Sequence, residues 1–403
     1  PGPTSTPARR IATKTSHYAN YPSRGRRSPF PIREGGQGVK SATLSRMHAM
    51  ATLPLDPLAD VPISREVAAL PKTDLHLHQE VFPRLDRIIA RRQGRAPFDW
   101  RAWARRVMAE TRPGYARLER IFQPDGTLGV DRDLDDDSEV FVTRVAEVLE
   151  EGAADGAVLL EVRFGSDRLV ALPDFMALFR EAEQRAQERY PRLRAEAIGY
   201  LSVRGQPGWI EQQERLLEAC LQARRDGLGG IDLRVDPYDV TTDPALWSVA
   251  YRWAERAAQA GLGVTVHVGE FSTASVPAAL RVPGLRRIGH GTHIASDPRL
   301  LEQLARSGAT LECSLTCNVV LGSAPSYERH PIRQLVNYGI PVTLNTDLPV
   351  HVCTTIGREY AVASALGFSP TNLLALTRNA VEASFTAPER RAALLSELDA
   401  LPG

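Results

Sequence analysis

The chain is predicted to fold as an α/β protein, a (β/α)8 TIM barrel with extra helices between strands one and two, and three observations lead there. Short apolar, β-branched runs recur eight times from residue 73 onward. Between most of them lie segments with the 3.6-residue spacing of amphipathic helices. No Gly-x-Gly-x-x-Gly follows an early strand, which weakens the alternative of an open, doubly wound sheet.

The strand runs are TDLHLH (73–78), AVLLEVRF (157–164), LRAEAIGYLSV (193–203), GIDLRV (230–235), GVTVHV (263–268), RIGHG (287–291), TLECSL (310–315) and PVTLNTD (341–347). Helical spacing marks residues 175–190, 209–227, 246–261 and 298–308. Each ends in glycine or in a turn toward the next strand, as helix stop signals require. Strands alternating with crossover helices imply a parallel sheet, and eight such units close into a barrel. Residues 79–156 are helical and charged and read as extra helices over a barrel mouth. Within them DRDLDDDSE (131–139) reads as a solvated face or loop.

At 403 residues and 43% apolar, the chain can bury a sizeable core. Its apolar runs are broken by Arg, Glu or Gly before reaching the roughly 20 residues of a membrane span. The net charge of +1 hides an asymmetry. Residues 1–46 hold nine Lys and Arg against the single acid Glu34, which leaves the remainder at −7. That basic, Pro-, Gly- and Ser-rich tail lacks a sustained apolar period and is expected to be disordered or peripherally draped. It lacks the apolar centre of a secretory signal, and Met47 and Met50 suggest that it precedes the natural start. The division is therefore tail 1–46 and barrel domain 47–403. The acidic body argues against nucleic acid as a partner. Four cysteines (Cys220, Cys313, Cys317, Cys353) without a C-x-x-C pair fit a reducing cytoplasm. The oligomeric state is left open.

Polar residues cluster at the C-terminal ends of these strands. His76 and His78 end strand one, His267 and Glu270 follow strand five, His290 ends strand six and Asp347 ends strand eight. In a parallel barrel those ends share one face, so residues remote in sequence converge. Residues i and i+2 of a strand point the same way, so both His76 and His78 can aim into the mouth. One buried histidine is as readily a structural residue; four such patterns at strands one, five, six and eight point to a site. Three neutral imidazoles plus a carboxylate suit zinc, or a similar divalent ion, with one coordination position open to water.

PKTDLHLH (71–78), HVGE (267–270), RIGHGTHI (287–294), HPI (330–332) and LNTDLP (344–349) together resemble the adenosine deaminase family of metal-dependent barrel hydrolases. The resemblance covers about residues 70–385. It implies one zinc per chain, held by His76, His78, His267 and Asp347, with Glu270 as proton donor and His290 orienting the attacking hydroxide. It also implies a small-molecule substrate: adenosine, or a related aminopurine or its nucleoside, losing its amino group as ammonia. Replacing a ring amino group needs hydroxide at neutral pH, which a bound Zn²⁺ supplies, and a general acid for the adjacent ring nitrogen.

Departures fall on the positions that read substrate. Leu348 stands where the family usually has a second aspartate that recognises a purine nitrogen. Glu80 and Val81 stand where the family has an acid-glycine pair, and Val235 replaces a glycine whose backbone N–H contacts the ring. Glu80, Val235 and Leu348 are therefore the expected substrate-binding positions, and together they weaken the case for plain adenosine. Arg163 reads as either wall support or substrate contact. His330 reads as a turn cap, and His293 and His351 as either substrate contacts or surface or supporting residues near the mouth. Cys313 and Cys317 read as buried or loop residues rather than metal ligands, and the five tryptophans as packing aromatics. A C–N hydrolase of the same superfamily acting on a non-purine, and a binding relative without activity, are the alternatives.

Overall fold

A computed structural model of the chain describes residues 53, 56–125, 134, 137–165, 169 and 174–401. The reading of residues 1–46 as a tail, and most of the run 131–139, lies outside the described residues. The last residue before the next helix, Asp137, accepts from the Val140 N–H at 2.9 Å and so caps that helix.

Eight strands form one parallel sheet in sequence order. They are β1 (Lys72–His78), β2 (Ala157–Gly165), β3 (Arg194–Val203), β4 (Gly230–Val235), β5 (Gly263–Val268), β6 (Leu285–His290), β7 (Thr310–Cys313) and β8 (Val342–Leu344). The barrel is closed just past β8. His78 N–H donates to Asp347 O at 2.9 Å, and Asp347 N–H donates to His76 O at 2.7 Å. The Asp74 carboxylate adds to the seam by accepting from the Thr346 hydroxyl at 2.5 Å and the Thr346 N–H at 3.2 Å. Every strand C-terminus therefore lies on one face.

The expected helices are present with shifted bounds. Residues 246–261 belong to Pro244–Gln259, which starts earlier because Asp243 accepts from the Ala245 N–H and Pro244 sits in the first turn. Pro298–Ser307 stops at Gly308, whose φ of +69° suits glycine. TLECSL is split: the strand ends at Cys313, and Leu315 opens the helix Leu315–Leu321.

The lower end of the barrel is plugged from the C-terminal side of the chain. A Cβ on Gly230 or Gly263 would lie 2.4 and 2.1 Å from the Phe385 ring, so only glycine at the start of β4 and β5 admits that ring. Arg287 stacks on the Phe385 ring and donates to Glu161 at 2.6 Å and Glu312 at 2.5 Å. At the opposite end the excursion between β1 and β2 covers the mouth, as expected. Its helices Trp100–Glu110 and Tyr115–Ile121 contribute Trp100, Trp103, Val107, Leu118 and Ile121 to an apolar cluster. Tyr238, Leu348 and Val350 from the loops after β4 and β8, and Cys317 from the helix Leu315–Leu321 after β7, complete it. Trp247 and Trp253 lie in the main core, and Trp209 donates to Ser202 O at 2.8 Å. No helix among the described residues is long and apolar enough to cross a membrane.

Candidate active site

The alternation of β1 sends Leu75 and Leu77 into apolar clusters around the barrel and leaves His76 and His78 for its interior. His267 is the penultimate residue of β5. Beyond it, Gly269 N–H and Phe271 N–H donate to the two oxygens of Asp239 at 2.6 and 2.7 Å, which holds the turn bearing Glu270. His290 and Asp347 have φ of +71° and +62°. Non-glycine residues in that region cost about 1–3 kcal/mol each and mark sites where geometry outranks local preference.

The polar atoms converge. His76 Nε2 and His78 Nε2 each lie 3.4 Å from Asp347 Oδ1. His78 Nε2 lies 3.2 Å from His267 Nε2. Ligand atoms of His76, His267, His290 and Asp347 fall within 4.8 Å of one another, as do those of Glu270, Cys317 and Asp347. Every residue expected as a metal ligand or catalytic group is thus in one cluster.

The far sides of the rings decide which nitrogen carries the proton. His76 Nδ1 lies 2.8 Å from Glu312 Oε2, and His267 Nδ1 lies 2.8 Å from Asp232 Oδ1. Carboxylates accept, so both rings are protonated on Nδ1 and turn an Nε2 lone pair to the centre. Arg163 holds both acids: it donates to Asp232 through Nε, to Glu312 at 2.5 Å and to Leu75 O at 2.5 Å. At 1% exposure it is wall support, which decides between its two readings. Burial would raise the Asp232 pKa, yet the contacts with His267 and Arg163 outweigh it and hold the group well below the carboxylate range. Burial keeps His76, His78 and His290 far below the usual imidazole value, hence neutral.

The Nε2 lone pairs of His76 and His267 and the Asp347 carboxylate therefore face one another. His76 Nε2 is buried with no hydrogen-bond partner. Leaving such an atom unpaired is costly, and a cation removes the cost, so the donor set fits a divalent metal. Gly289 of β6 makes room for this: a Cβ there would lie 2.7 Å from His76 Cε1.

Beside the imidazoles, Glu270 Oε2 accepts from the Tyr238 hydroxyl at 2.9 Å, while Oε1 is buried without a partner. Burial, then the charges of Asp347 and Asp239, push the Glu270 pKa well above the ordinary value. Burial likewise raises Asp347 to about 6. The Cys317 thiol donates to Asp347 Oδ2 at 2.9 Å. His290 Nε2 is 3.7 Å from Glu270 Oε2, and Asn318 Nδ2 lies 3.3 Å from His290 Nδ1.

The expected substrate positions divide. Leu348 is 5% exposed within the apolar mouth cluster. Val235 packs into the main core cluster. Glu80 accepts from Val350 N–H at 2.9 Å and His351 N–H at 3.0 Å, and its Oε1 lies 2.5 Å from His351 Nδ1. That acid shapes the loop after β8, and His351, buried against Trp100 and Phe122, is its partner. Sequence reasoning missed Asp232, Glu312, Tyr238 and Asn318. For the two acids a signal existed: each interrupts an otherwise apolar strand run, GIDLRV and TLECSL.

A profile described as adenosine deaminase matches residues 71–401. The chain is similar to an adenine deaminase from Chelativorans sp. (strain BNC1), 46% identical over 144 residues, 35% of this chain and 44% of that protein. It is also similar to an adenosine deaminase from Erwinia tasmaniensis, 35% identical over 191 residues, 45% of this chain and 56% of that protein. The matched stretches span about half the length of these relatives. Among solved structures, an adenine deaminase from Arthrobacter aurescens shares the fold with a TM-score of 0.64 at 24% identity, covering 82% of this chain and 98% of that one.

Proposed function

The chain belongs to the adenosine deaminase family, and on that premise we propose that it is a zinc-dependent hydrolytic deaminase of a free aminopurine base such as adenine. The observation that carries this reading is the convergence of His76, His78, His267 and Asp347, with acceptor atoms of His76, His267 and Asp347 facing one another, beside a buried acid, Glu270. Three imidazoles and one carboxylate suit zinc and leave room for water. A divalent ion held there acidifies a water molecule to a pKa of about 7 and so supplies a nucleophile at neutral pH.

The chain's own residues do the rest. Attack at a ring C–NH2 carbon breaks aromaticity, so the neighbouring ring nitrogen must gain a proton as the C–O bond forms. Glu270 is the acid for that step. With Tyr238 donating to Oε2, the proton belongs on Oε1, the atom without a partner. His290 orients the attacking water, whose two protons pass one to Glu270, restoring the acid, and one to the amino nitrogen, which leaves as ammonia. Asp232, Glu312 and Arg163 keep the imidazole tautomers fixed throughout.

The preference for a base over a nucleoside rests on Glu80. A ribose hydroxyl would compete with the donors already on Glu80. An unpaired buried hydroxyl costs about 1–3 kcal/mol, which disfavours the nucleoside by roughly 5- to 150-fold. The similarity to proteins named adenine deaminases agrees. Metal analysis with ammonia release from adenine, adenosine and its phosphate tests both levels. Faster turnover of adenosine than adenine would sink the base reading. Stoichiometric zinc without deamination of any aminopurine would sink the deaminase reading itself.

A further inference from the structure

His290 stands among the possible metal ligands by distance alone, since its ligand atom falls in the same group as those of His76, His267 and Asp347. Hydrogen-bond donors behind it decide otherwise. Ile332 N–H points at His330 Nδ1 at 3.2 Å, and a backbone N–H can only donate. His330 Nδ1 is therefore bare, and its ring proton sits on Nε2. The partner of that proton, 3.1 Å away, is Asn318 Oδ1, which also accepts from the Thr292 hydroxyl at 3.1 Å. Two donors on one oxygen leave a single orientation for the amide, with the NH2 group toward His290. At 3.3 Å, Asn318 Nδ2 donates to His290 Nδ1.

We infer that His330 and Asn318 are positioning residues that lock His290 in the tautomer protonated on Nε2, so that His290 meets the reacting centre as a hydrogen-bond donor and is excluded as a metal ligand. The backbone N–H of Ile332 thus sets a proton three side chains away. Each link is buried: Asn318 and Thr292 are 0% and 5% exposed, and His330 and His290 are 4% and 1% exposed. His330 therefore does more than cap its turn. A donor at His290 can hold the attacking water by one of its lone pairs, whereas a bare Nε2 would compete for the metal.

The inference deepens the deaminase reading, and its test separates the two. Nitrogen-15 spectra of ring-labelled histidine, taken on zinc-loaded and on chelator-treated protein, report the tautomer without any substrate. His290, assigned by its loss in His290→Gln, is expected as the Nε2-protonated form in both samples. A His290 signal with Nδ1 protonated, or a metal-bound Nε2, would overturn the inference whatever the enzyme does. Asn318→Asp replaces the donor with an acceptor of the same shape and should flip the His290 signal to the Nδ1-protonated form. On the substrate that the wild type turns over, kcat is then expected to fall by at least about 100-fold, the scale of losing one donor to developing charge, with KM and zinc content near wild type. A flipped signal with kcat within a few-fold of wild type would refute the role. His330→Ala, which frees the amide to turn, should give a mixture of both tautomers; a pure Nε2-protonated signal there would refute the relay.

Discussion

Gly289→Ala is the substitution whose effect follows most directly from the structure. The added Cβ would lie 2.7 Å from His76 Cε1 and 3.2 Å from His76 Nδ1. His76 cannot turn away freely, because its Nδ1 is tied to Glu312 at 2.8 Å and the residue is 0% exposed. Reaching an ordinary carbon–carbon contact requires a displacement of about 0.7 Å, shared between β6 and the imidazole. Overpacking of this kind costs roughly 1–3 kcal/mol of stability. A ring moved by several tenths of an ångström is misaligned as a ligand, so zinc affinity is expected to fall by about 10- to 100-fold and kcat by about 100-fold. Competition against a chromophoric chelator measures the first, and ammonia release the second. Gly308→Ala is the control. Its φ of +69° strains any side chain, but nothing lies within 4 Å, so it should lose about 1–2 kcal/mol with zinc affinity intact. Equal zinc affinity in Gly289→Ala and the wild type would refute the claim that this glycine exists to admit His76.

Other expectations follow from the same contacts. Glu270→Gln keeps the Tyr238 contact but removes the acidic proton, so kcat should fall about 10²- to 10⁴-fold with zinc retained; unchanged kcat in steady-state assays would assign the acid elsewhere. Arg163→Met leaves Asp232 and Glu312 buried without their shared cation, and urea unfolding should show a loss of about 3–5 kcal/mol. Zinc binding competes with a proton on Asp347, whose pKa is raised to about 6, so affinity is full above that pH and weakens by up to about tenfold per unit below it; titrations at pH 5 and pH 8 check the sign. In the metal-free protein His330, lowered to about 3 by burial, is neutral when folded. Its contribution is complete above the unfolded value of 6.5 and is lost as pH falls toward 3, because the unfolded chain then binds the extra proton. Thermal melts of His330→Gln should show a shallower loss over that window.

The barrel and the convergence of His76, His78, His267, Glu270, His290 and Asp347 were legible because both follow from periodicity. Period-two strands separated by helices dictate a parallel sheet, and a parallel sheet gathers the strand ends. What supports those residues was not legible, for a different reason in each case. Asp232 and Glu312 were visible as acids in apolar runs, but their meaning depends on an Arg163 guanidinium that reaches across the barrel from β2. No spacing rule predicts a contact of that kind. Asn318 lies three residues past the run read as strand seven, 310–315, in what is in fact the helix Leu315–Leu321, so its direction was hidden by the unassigned boundary. Glu80 shows the deeper limit. Its position beside His76 and His78 suggested a hydroxyl acceptor, yet its oxygens hold the loop after β8 through Val350 and His351. A carboxylate is equally suited to either task, and only the distance to a backbone 270 residues away separates them. If the loop rather than the substrate is its partner, Glu80→Gln should raise KM and kcat effects alike on adenine and adenosine by loosening Leu348 and His351. A loss confined to the nucleoside, measured as kcat/KM on both compounds, would instead return Glu80 to the substrate and refute the reading of the pocket as one shaped for a bare base.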